Sequence, residues 1–204
     1  MVKTQKIIEI IERRYVVSTD ELARALKDDK GKVIKLLDYL VRRGKIVKIR
    51  RGYYTIKPVF DRVNVLATAL LRPAYISLAY ALMVQNIITQ YITEVEVMTT
   101  KKFPRSMREI EINGIKIRFY RIKRELFFGY RWEEEDGFYY AIAYPEKALL
   151  DLHYIGINPE DMFTIDWSKI NSDRLIEYSR LFPKRVKDWA TKIANALQAN
   201  LLSK

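Results

Sequence analysis

A carboxylate beside an imidazole is the smallest device for general-base chemistry, and this chain offers one, Asp151 with His153, its single histidine among 204 residues. Two positions apart on a helix, the two side chains point in different directions, so the spacing predicts a structural or surface histidine. The absence of cysteine removes zinc fingers, iron–sulfur clusters, disulfides and thiol nucleophiles. A metal-dependent nuclease needs clustered carboxylates with a lysine, and Glu94, Glu96, Glu109 and Glu111 lie with Lys101 and Lys116 on or beside predicted neighbouring strands. Their spacing matches no nuclease motif, and strand alternation sends such residues to a solvated sheet face. The seven glycines assemble no phosphate-cradling loop. No metal or cofactor is expected, and the chain reads as a non-enzyme, with the nuclease as the weaker alternative.

Cations carry the stronger signal. Residues 1–57 hold 16 Lys+Arg against 7 Asp+Glu, and so account for nine of the twelve net positive charges. Phosphate neutralisation with counterion release needs such clustering, so the expected partner is a polyanion. Within this segment Lys32, Lys35 and Tyr39 share one face of a predicted helix and are the candidates for reading base edges in a DNA major groove. Lys30, Arg42, Lys48, Arg50 and Arg51 are placed to grip phosphates on either side, which gives affinity rather than sequence preference. Gly31 removes a side chain near the helix start, where a backbone amide and the helix dipole can meet a phosphate.

The elements that must hold these residues follow from periodicity. Ile7, Ile8, Ile10 and Ile11 make one apolar face of a first helix. Ser18 and Glu21 have the spacing of a capping box for a second helix through Leu22 and Leu26. Asp29 caps a third, which turns Val33, Leu36, Leu37, Leu40 and Val41 inward and stops at Gly44. Lys45 to Lys57 then reads as strand, tight turn and strand, burying Val47 and Ile49 and displaying Lys48, Arg50 and Arg51. Three helices and a basic hairpin in this order predict a winged helix-turn-helix over 1–57.

Residues 58–204 predict a second domain. Val63 to Val84 is apolar, but Arg72 near its middle would cost about 2.5–3.5 kcal/mol in a bilayer and Pro73 breaks a helix, so two short helices are expected, the second running from Ala74 to Leu82. Glu94–Thr99, the Asn113-Gly114 hairpin, Leu126–Trp132 and Phe138–Ala143 read as strands, and their aromatic cluster, Phe127, Phe128 and Tyr130 with Phe138, Tyr139 and Tyr140, is expected as sheet core rather than as a platform for stacking bases. Helices return at Pro145–Tyr154, where Glu146 favours the start beside a core stripe, at Asp173–Phe182 and at Lys184–Leu202. The fold class is α+β: an N-terminal winged helix, then a mixed domain with an antiparallel sheet and flanking helices. Glu9 and Glu12 interrupt the apolar run that a secretory signal needs, so a cytoplasmic protein without a membrane partner is expected.

The winged helix ending in Arg51-Gly52-Tyr53-Tyr54, the segment Pro73-Ala74-Tyr75-Ile76-Ser77-Leu78 and the segment Pro145-Glu146-Lys147-Ala148-Leu149-Leu150-Asp151-Leu152 together resemble the AbiEi-type antitoxin family, predicted transcriptional regulators of viral-defence systems. The resemblance implies an autorepressor that binds operator DNA through its winged helix; an operator of inverted repeats favours a homodimer, since two modules reading half-sites multiply affinity. It also implies a second domain that counteracts a cognate nucleotidyltransferase toxin of a type IV system functionally, without a stable complex. The helix Lys30 to Arg43 and the wing Arg50-Arg51-Gly52 match the family's DNA-reading positions, while Tyr75-Ile76-Ser77 and Glu146-Lys147 match motif positions whose roles do not follow from the sequence. The alternative is a protein-binding regulatory module in which the winged helix is only a scaffold.

Overall fold

The computed structural model describes residues 2–202. The chain divides into two compact units, one of residues 1–72 with 134–140, the other of 73–133 with 141–204. The α+β fold class holds for both.

In the first unit, helix α1 (Val2–Arg14) leads into strand β1 (Val16–Ser18), helices α2 (Thr19–Leu26) and α3 (Lys30–Arg42), strands β2 (Val47–Arg50) and β3 (Tyr53–Thr55), and helices α4 (Lys57–Phe60) and α5 (Val63–Leu70). The strands form one antiparallel sheet in the order β1-β3-β2, with Val17 opposite Tyr54 and Val47 opposite Thr55. Ile7, Ile11, Val17, Leu22, Val33, Leu37, Leu40, Ile46 and Tyr54 close into a single core, with Ile8, Ile10, Leu36 and Val41 half-buried around it. Each fully buried aliphatic side chain contributes about 1.5–3 kcal/mol relative to leaving it in water, and this core is what fixes the outward phase of α3. The capping box is present: Glu21 N donates to Ser18 Oγ at 3.2 Å, and Ser18 N donates to Glu21 Oε2 at 2.7 Å.

The second unit comprises strand β4 (Ala74–Ile76), helix α6 (Leu78–Val84), strands β5 (Glu94–Thr99), β6 (Glu109–Ile112), β7 (Ile115–Arg121), β8 (Tyr130–Glu135) and β9 (Phe138–Ala143), and helices α7 (Pro145–Tyr154), α8 (Pro159–Met162), α9 (Ser172–Ser179) and α10 (Lys184–Leu202). The tip of the β8–β9 hairpin, 134–140, counts with the first unit. The six-stranded sheet runs β6-β7-β5-β4-β9-β8 and is mixed, since β4 pairs parallel with β9 and β5 parallel with β7. The sequence leads one to expect antiparallel pairing throughout. A hairpin signature fixes β6 against β7 and says nothing of the partner on the other side of β7.

Residues 74–76 are a strand where the sequence predicts a helix. Proline at 73 disfavours helix for its predecessor, and Ala74, Tyr75 and Ile76 are all buried in the middle of the sheet, a short apolar run that periodicity cannot assign. Leu78, with φ of 58°, turns the chain from strand to helix in one step. No helix of the described residues is long and apolar enough to cross a membrane. The Asn113-Gly114 turn has φ of 53° and 75°, the two positive values that a type I′ hairpin demands.

Candidate nucleic-acid interface

Helix α3 starts at a cap and ends at Arg43 and Gly44, and its buried side is set by Val33, Leu37 and Leu40. The positions left facing solvent include Lys32, Lys35, Tyr39 and Arg42, at spacings of three and four residues, which is one continuous stripe. Tyr39 is 46% exposed, and the Arg43 guanidinium lies 5.5 Å from its ring centre. Lys32, Lys35 and Arg42 have no carboxylate at ion-pair distance among the described residues, so their charge is available to an external anion. Lys30, at the first position of the helix, is held by Asp20 at 2.7 Å, and that exposed pair must open before Lys30 can meet a phosphate.

Gly31 does not present a vacant amide. Its N–H and that of Lys32 donate to Asp29 Oδ1 at 2.9 and 3.1 Å, and a Cβ at position 31 would stand 3.0 Å from that oxygen. The glycine makes room for the cap, and a phosphate at this helix end would have to displace a carboxylate.

The wing departs from simple alternation. Lys48 pairs with Tyr54 and Arg50 with Tyr53, so the register slips at Ile49 and two residues of β2 stand against one of β3. Val47 and Ile49 are half-buried rather than buried, Ile46 fills the core in their place, and Arg50 is half-buried where exposure is expected. Lys48 and Arg51 are exposed, and neither has an ion-pair partner among the described residues. The bulge is the physical reason for the difference, because one extra residue shifts every side chain beyond it relative to the pleat. Tyr53 and Tyr54 on the partner strand have hydroxyls pushed above their ordinary pKa, chiefly by burial. Arg14 and Arg24, with Glu21 and Ala25, line a shallow cavity of about 360 Å³ in the same unit, an additional cationic spot. The Arg13-Arg14 pair closing the first helix is the signal that could have found it.

The second unit explains the motif positions that the sequence left without a role. Lys147 and Asp151, one turn apart on α7, are fully buried and ion-paired. Lys147 Nζ also donates to the Tyr75 hydroxyl at 2.7 Å, and Tyr75 and Ser77 donate to Asp151 Oδ2 at 2.9 and 2.8 Å. Rings of Tyr75, Phe128 and Phe182 surround the ammonium at 5.1–5.4 Å. Burial lowers the pKa of Lys147 against the pull of Asp151, and burial followed by Asp151 raises that of Tyr75 well above 10. The network binds β4 to α7 and is closed to solvent. Glu146, also buried, accepts from Asn171 N at 2.8 Å and from Arg174 at 3.3 Å, so it positions the start of α9.

Three of the four carboxylates of the nuclease reading have local partners, and the fourth, Glu111, lies on the β6–β7 hairpin. Glu94 and Glu109 flank Arg118 at 3.0 and 2.8 Å, Glu96 is buried and accepts from Tyr80 N at 3.2 Å, and Glu111 stands opposite Lys116 in the β6–β7 register. Among the described residues, no three acidic or imidazole groups converge as metal ligands. His153 is buried and stacked on Trp189, with ring centres 4.8 Å apart.

No curated protein matches the chain. Residues 5–57, from α1 to the end of the wing hairpin, are similar to the family model described as "Transcriptional regulator, AbiEi antitoxin".

Proposed function

We propose that the protein is a sequence-specific DNA-binding autorepressor and the antitoxin of a type IV toxin–antitoxin system, with residues 1–57 as its DNA reader and 58–204 as its regulatory part. The observation that carries this reading is the stripe of Lys32, Lys35, Tyr39 and Arg42, held outward by a closed core on a helix of 13 residues, with the exposed cations of the wing in the same unit. A helix fits the major groove, whose width is about 12 Å, and a cationic stripe along it supplies both contacts to base edges and phosphate neutralisation. In this reading the operator is double-stranded DNA with inverted repeats, bound by a homodimer. The protein works in the cytoplasm, and its nucleotidyltransferase toxin is opposed without a lasting complex.

The test is titration of labelled duplexes carrying the chain's own upstream region, alongside scrambled duplexes. If each winged helix neutralises about five phosphates, log affinity falls against log salt with a slope near −4.5 per module. Lys35→Ala narrows the gap between specific and scrambled duplexes, whereas Arg51→Ala weakens both alike. A slope near zero, or the same profile for both variants, would overturn the assignment of α3 as the reading helix.

A further inference from the structure

The six-stranded sheet has two outer strands, β6 and β8, and each leaves a row of backbone donors and acceptors on its open side. Such an edge takes up another strand unless short length, charge or a cover prevents it. β6 is guarded: it has four residues, and exposed Glu109 and Glu111 would meet their own kind if a second copy lay antiparallel on it. β8 (Tyr130–Glu135) is longer and carries Trp132, 66% exposed, beside the cation of Arg131. Which of its backbone groups are open follows from the hairpin it makes with β9. Asp136 and Gly137, with φ of 49° and 82°, form a two-residue turn that sets Glu135 against Phe138. At the far end Tyr144 N donates to Gly129 O at 2.9 Å. Residues 129, 131, 133 and 135 therefore face β9 with their backbone groups, and the N–H and C=O groups of Tyr130, Trp132 and Glu134 point away from the sheet. Among the described residues no further strand or loop backbone bonds to them there.

We propose that β8 is a dimer contact: a second copy of this chain adds its own β8 antiparallel, across a two-fold axis at Trp132, and the two sheets join edge to edge. The proposal deepens the operator reading above and rests on it for its purpose, since a two-fold dimer is what inverted repeats take. Charge selects both the occupant and the register. With Trp132 opposite Trp132, Arg131 of each copy stands opposite Glu133 of the other, and Glu134 opposite Tyr130. Moving the axis to residue 131 sets arginine against arginine, and moving it to 133 or 134 sets glutamate against glutamate. The register centred on Trp132 has two opposite-charge pairs and no like-charge pair. It also brings the two exposed indoles side by side on one face, where each covers part of the other. Arg131 is held in advance beside the edge, with Glu133 at 2.6 Å, Gln85 at 2.9 Å and the Tyr144 ring centre at 5.3 Å.

The test is sedimentation equilibrium of the full chain without DNA. The samples are the unaltered protein, Arg131→Glu, Glu133→Arg, an equimolar mixture of those two variants, and Trp132→Lys, with thermal melts to show that each is folded. The unaltered chain is expected to dimerise. Each charge variant sets like charges opposite one another twice and is expected to weaken the dimer at least about tenfold. Trp132→Lys puts two ammonium groups at the axis, leaves the Arg131 contacts in place and is expected to weaken it as well; it decides the matter should a charge variant fail to fold. In the mixture each reversed charge meets its opposite, so a mixed dimer is expected to restore the association. A monomeric unaltered chain, a dimer that every variant leaves intact, or a mixture no more associated than its parts overturns this contact. Duplex titration is read separately. A monomeric chain that binds its operator overturns the contact alone, whereas a β8 dimer without salt-dependent duplex binding overturns the operator reading and leaves the contact standing.

Discussion

Lys147 shows how a charged residue can be placed for structure alone. Its ammonium is fully buried, yet it meets Asp151 and the Tyr75 hydroxyl and is ringed by three aromatic faces, so each donor has an acceptor or a π surface. Lys147→Met leaves the Asp151 carboxylate buried without its cation and is expected to destabilise the protein by about 3–5 kcal/mol, read as a lower urea midpoint. Adding Asp151→Asn, which removes the stranded charge and keeps an acceptor for Tyr75 and Ser77, is expected to restore most of that loss. If the double variant is no more stable than Lys147→Met, burial of the uncompensated charge is not the cause. Gly129 supports the same network, because a Cβ there would stand 2.9 Å from the Tyr178 ring and 3.1 Å from the Lys147 stem, on a backbone with φ of 71°. His153 gives a second measurement at this scale. Burial, with Arg185 beside it, holds its imidazole below the ordinary 6.5. The folded state therefore takes up its proton at lower pH than the unfolded chain. The stability it contributes is whole above pH 6.5 and is lost as pH falls from there through the folded value. As the single histidine, its ring resonance titrates alone in proton NMR, and a midpoint at or above 6.5 would contradict this placement.

Among the elements, α3 couples stability and binding through its cap. Asp29 accepts from Gly31 N and Lys32 N, and it also sets a carboxylate at the start of the helix proposed to enter DNA. Asp29→Ala is expected to cost about 1 kcal/mol of stability while strengthening duplex binding, and Asp29→Asn to strengthen binding with the cap retained. Urea melts and duplex titration separate the two effects, and unchanged binding in both variants would place this helix end away from the phosphates. Elements written locally in the chain are legible from residue spacing alone: the Ser18–Glu21 capping box, the Asp29 cap, the Asn113-Gly114 turn and the helix Pro145–Tyr154 all lie where that spacing puts them. What spacing leaves illegible is set by contacts far apart in sequence. The three residues of β4 are a strand because β5 and β9 lie on either side, and the slip at Ile49 depends on how β2 meets β3. The same holds for the candidate site. The stripe on α3 follows from its own periodicity, whereas the Asp20 hold on Lys30 and the half-burial of Arg50 require the neighbouring helix and strand.

Over the whole molecule the net charge of +12 acts in two directions that a single experiment can separate. Like charges crowded in residues 1–57 repel one another in the folded state more than in an expanded chain, and added salt screens that repulsion over a Debye length of about 8–10 Å at 0.1–0.15 M. Raising sodium chloride from about 20 to 300 mM is therefore expected to raise the melting temperature of the free protein by a few degrees. Duplex affinity over the same range is expected to fall by orders of magnitude, because each phosphate contact then recovers less from counterion release. The surface ion pairs oppose the first trend only weakly, since exposed pairs such as Lys57 with Asp61 contribute little at any salt. Differential scanning fluorimetry and anisotropy on one preparation check both signs. A melting temperature that falls with salt would mean that attraction between opposite charges outweighs crowding among the cations. The basic region would then be balanced within the fold rather than held open for a polyanion.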